Sequence, residues 1–247
     1  MSLSFHEVSL QNHRILNPFT QQQLELLGEI CGIRASMNHL DLCCGKGEMM
    51  CRWSARYGYR AVGVDISPVF LEAARSRALE LQCGDRVTFV EEDASKYGFP
   101  PAAFDIVSCI GATWIGNGLV GTLDLLRPGL CNQDSLMLIG EPYWIDDPPE
   151  EAYAGMGDDR DMFTSLAGTL ERIESVELEL VEMVLADHCG WDRYEAAQWV
   201  AVSDWLRQHP DDPGASDIRE RNERGRRNYL AYLRRFFGWG VFVLRSR

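Results

Sequence analysis

Two carboxylates and two glycines hold a spacing that could do chemistry. Asp41 lies in the stretch His39-Leu-Asp-Leu-Cys-Cys-Gly-Lys-Gly-Glu-Met49, where a short apolar run passes through a small-residue turn containing Gly45 and Gly47 into a helix-forming segment. A strand, a tight loop and a helix N-terminus in that order aim backbone N–H groups and a positive helix end at one point, and glycines let a ligand approach the backbone closely. Asp65 closes the next apolar run, residues 61–64, and follows Gly47 by 18 residues. That is near the roughly 20-residue offset at which an acid grips ribose hydroxyls. The combination predicts a nucleoside-cofactor site.

The glycine pattern narrows the nucleoside. The fingerprint for a diphosphate is Gly-x-Gly-x-x-Gly; here Cys43 stands at the first glycine position, the third is missing, and Asp41 would repel a diphosphate. A cationic ligand without phosphate fits better, and S-adenosylmethionine brings an ammonium for Asp41 and a ribose diol for Asp65. At these residues the chain resembles the class I S-adenosylmethionine-dependent methyltransferases. The resemblance implies that Asp41, Gly45 and Gly47 hold the methionine end, with Cys43 loosening the turn, and that Asp65 with Ile66 meets the ribose side. It also implies that Asp93 and Ala94, after the run 87–90, contact adenine. Phe104-Asp-Ile-Val-Ser-Cys-Ile110 resembles the central fourth strand, placing Ile110 and Gly111 at the cofactor, and Leu126-Arg-Pro-Gly129 resembles the turn before the fifth. The likeness continues nearly end to end with one bacterial branch of the family, through stretches such as 139–144, 190–195 and 237–242.

Methyl transfer needs few catalytic groups, because the cofactor carries the activated carbon. Glu141, at the end of the fifth predicted strand, is the first expectation for a base, His13 the second, and Tyr143 stands beside Glu141. Glu141 could equally hold a cationic substrate or rest idle on nearby backbone N–H groups. Trp114, four residues past the fourth strand, is either a flat wall for adenine or substrate, or a buried anchor for its loop. Two other classes compete with a methyltransferase acting on oxygen or nitrogen of a small metabolite: an NAD(P)-dependent oxidoreductase, and a non-catalytic S-adenosylmethionine-binding protein.

These residues need elements to position them. With 247 residues, 46% of them hydrophobic and 25% charged, the chain suffices for a single methyltransferase domain, 1–247, with a large core. A net charge of −13 argues against a nucleic-acid backbone as partner, leaving a small-molecule acceptor; a monomer or a homodimer is expected. The first residues lack a basic segment followed by an apolar one, and no run approaches the ~18 apolar residues of a membrane span, so a cytoplasmic location away from membranes is expected. The eight cysteines show no zinc spacing, and no metal is expected.

Residues 1–34 are expected to form an N-terminal arm and helix. Thr20 to Gln23 fits a capping box ahead of a helix over 20–31. The polar arm before it, with His6, His13, Arg14 and Asn17, is either a lid over the cofactor mouth or a frayed terminus. The core spans 35–188 and 238–247: Ser67-Pro68 starts a helix, and alternating strands and helices imply a Rossmann-like α/β fold, a seven-stranded mostly parallel sheet with helices on both faces. Strands six and seven, near 175–187 and 240–244, form an antiparallel pair in the family. Between them, 189–237 is expected as an inserted helical cap, lining the substrate pocket or merely covering the sheet edge. Its arginines 219, 221, 224, 226 and 227 predict a solvated face or an anion site. His188 and Asp192 could face the mouth, or serve structure only.

Overall fold

Apolar alternation and capping produce the elements in order. A computed structural model describes residues 3–154 and 161–247. Helix α1 (Leu3–Ser9) leads through an irregular segment to α2 (Gln21–Ile30). Thr20 accepts from the Gln23 amide and the Gln23 side chain returns to the Thr20 amide, the expected box. Then follow β1 (Asn38–Leu42), α3 (Glu48–Tyr57), β2 (Arg60–Asp65), α4 (Pro68–Glu80), β3 (Val87–Glu91) and β4 (Ile106–Ile110). Ser67 caps α4 by accepting from the Phe70 amide. After a 3₁₀ turn, Thr113–Gly116, come α5 (Leu119–Leu126), β5 (Leu136–Trp144), α6 (Glu150–Ala154), α7 (Leu166–Glu174) and β6 (Leu178–Leu185). Part of the helical stretch expected over 151–172 lies outside the described residues.

The seven strands form one sheet in the order β3-β2-β1-β4-β5-β7-β6, where β7 spans Phe237–Ser246. The first five are mutually parallel, and β7 runs antiparallel to both neighbours. One face carries Leu24 and Leu27 of α2 with Met50 and Trp53 of α3. The other packs Leu40, Leu42 and Val107 against Leu119, Leu123 and Leu126 of α5. Between β6 and β7 stand α8 (His188–Gln208), α9 (Ala215–Asn228) and a π turn, Tyr229–Leu233, with Trp191 and Tyr229 joining the α2 face. Asp192 ties this insertion together by accepting from the Tyr229 hydroxyl at 2.8 Å and twice from Arg234, while His188 is exposed on the first turn of α8. Asp192 thus serves packing, not the mouth. Arg219, Arg224, Arg226 and Arg227 are exposed, and Arg221 lies 4.4 Å over the Phe5 ring.

One boundary departs from expectation. Strand β5 does not stop at Gly140 but pairs on through Trp144, with Glu141 opposite Gly240 and Tyr143 opposite Gly238. A Cβ at Gly238 would stand 2.3 Å from the Tyr143 ring, so glycine there is what lets the aromatic cross the ladder. Glu141 therefore sits inside a strand, and Phe237 belongs to β7, not to the insertion. Among the described residues no helix is long and apolar enough to cross a membrane.

Candidate active site

The junction of β1 with α3 is built from unusual backbone. Cys43, Gly45 and Gly47 all take positive φ, 61°, 54° and 62°. Gly45 and Gly47 adopt this freely, whereas Cys43 pays the steric penalty of a Cβ in the left-handed region. The turn is pinned from the next strand: Asp65 accepts from the Gly45 amide at 2.8 Å and from the Ser67 amide at 2.9 Å. Burial pushes the Asp65 carboxyl up, and the amides of Ser67, Gly45 and Ile66 pull against it. Asp41 is 4% exposed and accepts from the Ser108 hydroxyl. Burial raises its carboxyl to about 7, against the Ser108 bond, with Asp65's charge adding to the rise. Asp93 differs: Lys96 and Ser95 bond both its oxygens and hold it down to about 2.

A cavity of about 670 Å³ opens where these strand ends meet, within the range usual for small-molecule sites. Asp41, Cys43, Gly45, Gly47, Asp65, Ile66, Asp93, Ala94, Ile110, Gly111 and Trp114 all line it. Trp114 is 65% exposed, which contradicts the buried-anchor alternative. Its neighbour Thr113 does the anchoring, donating to Glu141 and accepting from Thr122 through its carbonyl.

The arm covers the cavity. His6, Leu10, Arg14, Ile15, Leu16 and Asn17 line it, and Tyr194 of α8 completes that side. A Cβ on Gly45 would stand 2.6 Å from Leu16 Cδ1, so the arm lies directly on the glycine turn. Lys46, between the two glycines, donates to the carbonyls of Leu10, Gln11 and His13, each at 2.8 Å. At its start the arm is tied by Ser67, whose hydroxyl donates to Glu7 at 2.7 Å; at its end the Tyr194 hydroxyl donates to the Leu16 carbonyl. Lys46, Leu16 and Tyr194 escaped sequence reasoning. The legible signal was a lysine inside a glycine turn, with no acid at its own spacing to pair with.

The three expected bases lie elsewhere. Glu141 is 2% exposed beneath the 3₁₀ turn, accepts from Thr113 at 2.7 Å and does not line the cavity. Burial raises its carboxyl to about 7 against the Thr113 bond and Arg172. Tyr143 is buried over Gly238 and does not line the cavity either. His13 donates through Nε2 to the Tyr194 carbonyl and borders a separate outer groove. The extension of β5 accounts for the first two: alternation along a paired strand turns their side chains into layers that the arm and the glycine turn do not reach.

Two buried acids, a glycine turn and no phosphate-directed pattern suit a ligand bearing an ammonium and a diol. Fold and site define the class: the chain belongs to the class I S-adenosylmethionine-dependent methyltransferases, with S-adenosylmethionine as cofactor. Residues 40–129 match the methyltransferase domain family. Within the class, the chain is 40% identical over 243 residues to the uncharacterized protein YjhP of Escherichia coli (strain K12), covering 97% of each. It is similar, at 39% identity and a TM-score of 0.93, to a SAM-dependent methyltransferase from Geobacter sulfurreducens solved with S-adenosyl-L-homocysteine, across 99% of this chain and 98% of that one. A SAM-dependent methyltransferase from Thiobacillus denitrificans, solved with the same ligand, gives 36% identity, a TM-score of 0.92, and coverage of 98% and 97%. Membership settles the choice against the oxidoreductase alternative.

Proposed function

We infer that the protein transfers the methyl group of S-adenosylmethionine to an oxygen or nitrogen of a small metabolite. The carrying observation is one cavity in which every expected cofactor residue shares its walls with the arm and with Tyr194. Asp41 takes the methionine ammonium beside Cys43, Gly45 and Gly47. Asp65 takes the ribose diol, and Ile66, Asp93 and Ala94 flank adenine. Ile110, Gly111 and Trp114 form the wall toward the acceptor, which is enclosed by Leu16, Asn17, Ile115 and Tyr194. A covered, largely apolar chamber suits a small acceptor rather than a polymer, and the charge of −13 supports that reading. A cytoplasmic monomer or homodimer is consistent with it.

The cofactor supplies a methyl carbon already activated by its sulfonium. This chain's residues orient the acceptor at near-attack distance and exclude water under the arm. Where a proton must leave, His6 is the imidazole lining the cavity; burial, with Arg221 beside it, holds it down to about 4 and therefore neutral. Incubating the protein with labelled methyl donor and fractionated cell metabolites tests the proposal. A labelled small O- or N-methyl product supports it, and label found only in polymer, or on carbon, refutes it.

A further inference from the structure

Strand β1 lies inside the sheet between β2 and β4, where parallel strands covered on both faces are ordinarily apolar. Its α3-side face instead presents His39 and Asp41, and Ser108 of β4 stands in register with Asp41. His39 and Ser108 are fully buried, as is Tyr59 in the turn before β2. They form an unbroken chain: Tyr59 hydroxyl to His39 Nδ1 at 2.9 Å, His39 Nε2 to Ser108 Oγ at 2.7 Å, and Ser108 Oγ to Asp41 Oδ1. The His39 ring lies near-parallel to those of Trp53 and Tyr59, with centroids 6.1 and 5.8 Å away and planes 26° and 29° apart.

The direction of every bond follows from the last one. An ionised carboxylate only accepts, so Ser108 donates to Asp41; its oxygen then accepts from His39 Nε2–H, and the remaining lone pair on Nδ1 accepts from Tyr59. We propose that Tyr59, His39 and Ser108 are positioning residues, a buried relay of donors that orients the Asp41 carboxylate and favours its charged form for the cofactor's ammonium group. Among the described residues, the titratable groups facing Asp41 are Asp65 from β2, Cys44 from the turn, Cys109 from β4 and Tyr59 itself, none of them cationic. Burial holds His39 neutral, at about 3, so it contributes as a dipole rather than a charge.

The proposal rests on Asp41 receiving the ammonium, and the experiment separates the two. Titration calorimetry compares S-adenosylhomocysteine with 5′-methylthioadenosine, which keeps the nucleoside and thioether but lacks the amino-acid end. Asp41→Asn tests the underlying reading: selective weakening of S-adenosylhomocysteine supports it, and equal weakening of both ligands defeats it. Given that selectivity, Ser108→Ala is expected to weaken S-adenosylhomocysteine about tenfold, to leave 5′-methylthioadenosine within twofold, and to move the acid-side loss of binding to higher pH, because Asp41 loses the donor that favours its ionised form. His39→Gln, which can still donate to Ser108, retains affinity; His39→Leu does not. The protein without ligand supplies a readout that requires no variant: at a pH well above the Asp41 value of about 7, where the carboxylate is ionised, ¹⁵N-edited NMR of the imidazole finds the proton on Nε2. A proton on Nδ1, or equal loss of both ligands in Ser108→Ala, overturns the relay.

Discussion

Lys46→Met should release the arm without disturbing the sheet. The ammonium is the convergence point of three carbonyls from residues 10, 11 and 13, each at 2.8 Å. Bonds to a charged donor are worth about 1.5–3 kcal/mol when buried, and the bond to Gln11 is exposed, so about 0.7 kcal/mol each is a fair allowance after solvent competition. Together they favour the closed arm by about 2 kcal/mol, which makes the open arm about 30-fold more populated in the variant. Hydrogen exchange of the amides in residues 10–19 reads this directly, and S-adenosylhomocysteine should dissociate faster by a similar factor in stopped flow. Strand β1 should exchange as in the parent, because Leu40 and Leu42 are fully buried and owe nothing to Lys46. Lys46→Arg should restore protection only in part, since a planar fork cannot bring three donors to one point. Unchanged exchange in the arm of Lys46→Met would refute the latch.

Glu141→Gln should leave methyl transfer within about twofold once an acceptor is known, because the carboxyl does not line the cavity. The same variant should gain stability over the parent as pH rises. A carboxyl raised from 4.5 to about 7 contributes stability that is present below 4.5 and lost on passing through 7. The gap in denaturant unfolding should therefore open by about 1.4 kcal/mol per pH unit across that window and level off above it. Trp114→Ala should leave stability within about 0.5 kcal/mol, as for an exposed side chain, yet weaken cofactor or acceptor binding in calorimetry by about three- to tenfold. Gly47→Ala should lower stability in chemical denaturation by at least about 1 kcal/mol, because φ is 62° and the new Cβ would stand 2.6 Å from the Phe89 ring.

Much of the site could be read from the chain because its signals are local. Asp41, Gly45 and Gly47 fall within one strand-to-helix turn, and Asp65 ends the next strand. The caps at Thr20 and Ser67 bond three residues ahead, a distance that spacing alone reports. Glu141 was misplaced because strand length depends on a partner. The ladder runs past Gly140 only because Gly238, nearly a hundred residues later, has no side chain to meet Tyr143.

Residue order along the chain determined the alternating strands and helices, the glycine turn, and the acids that close two adjacent strands, since each depends on neighbours within a few positions. Tertiary structure alone decided that Lys46 grips an arm more than thirty residues earlier, that Ser108 reaches Asp41 across 67 residues, and that Glu141 lies behind a loop rather than in the cavity. A side chain's partner across such distances is selected by sheet register and by which groups burial leaves no alternative but to pair, and neither is written in the spacing of any one segment.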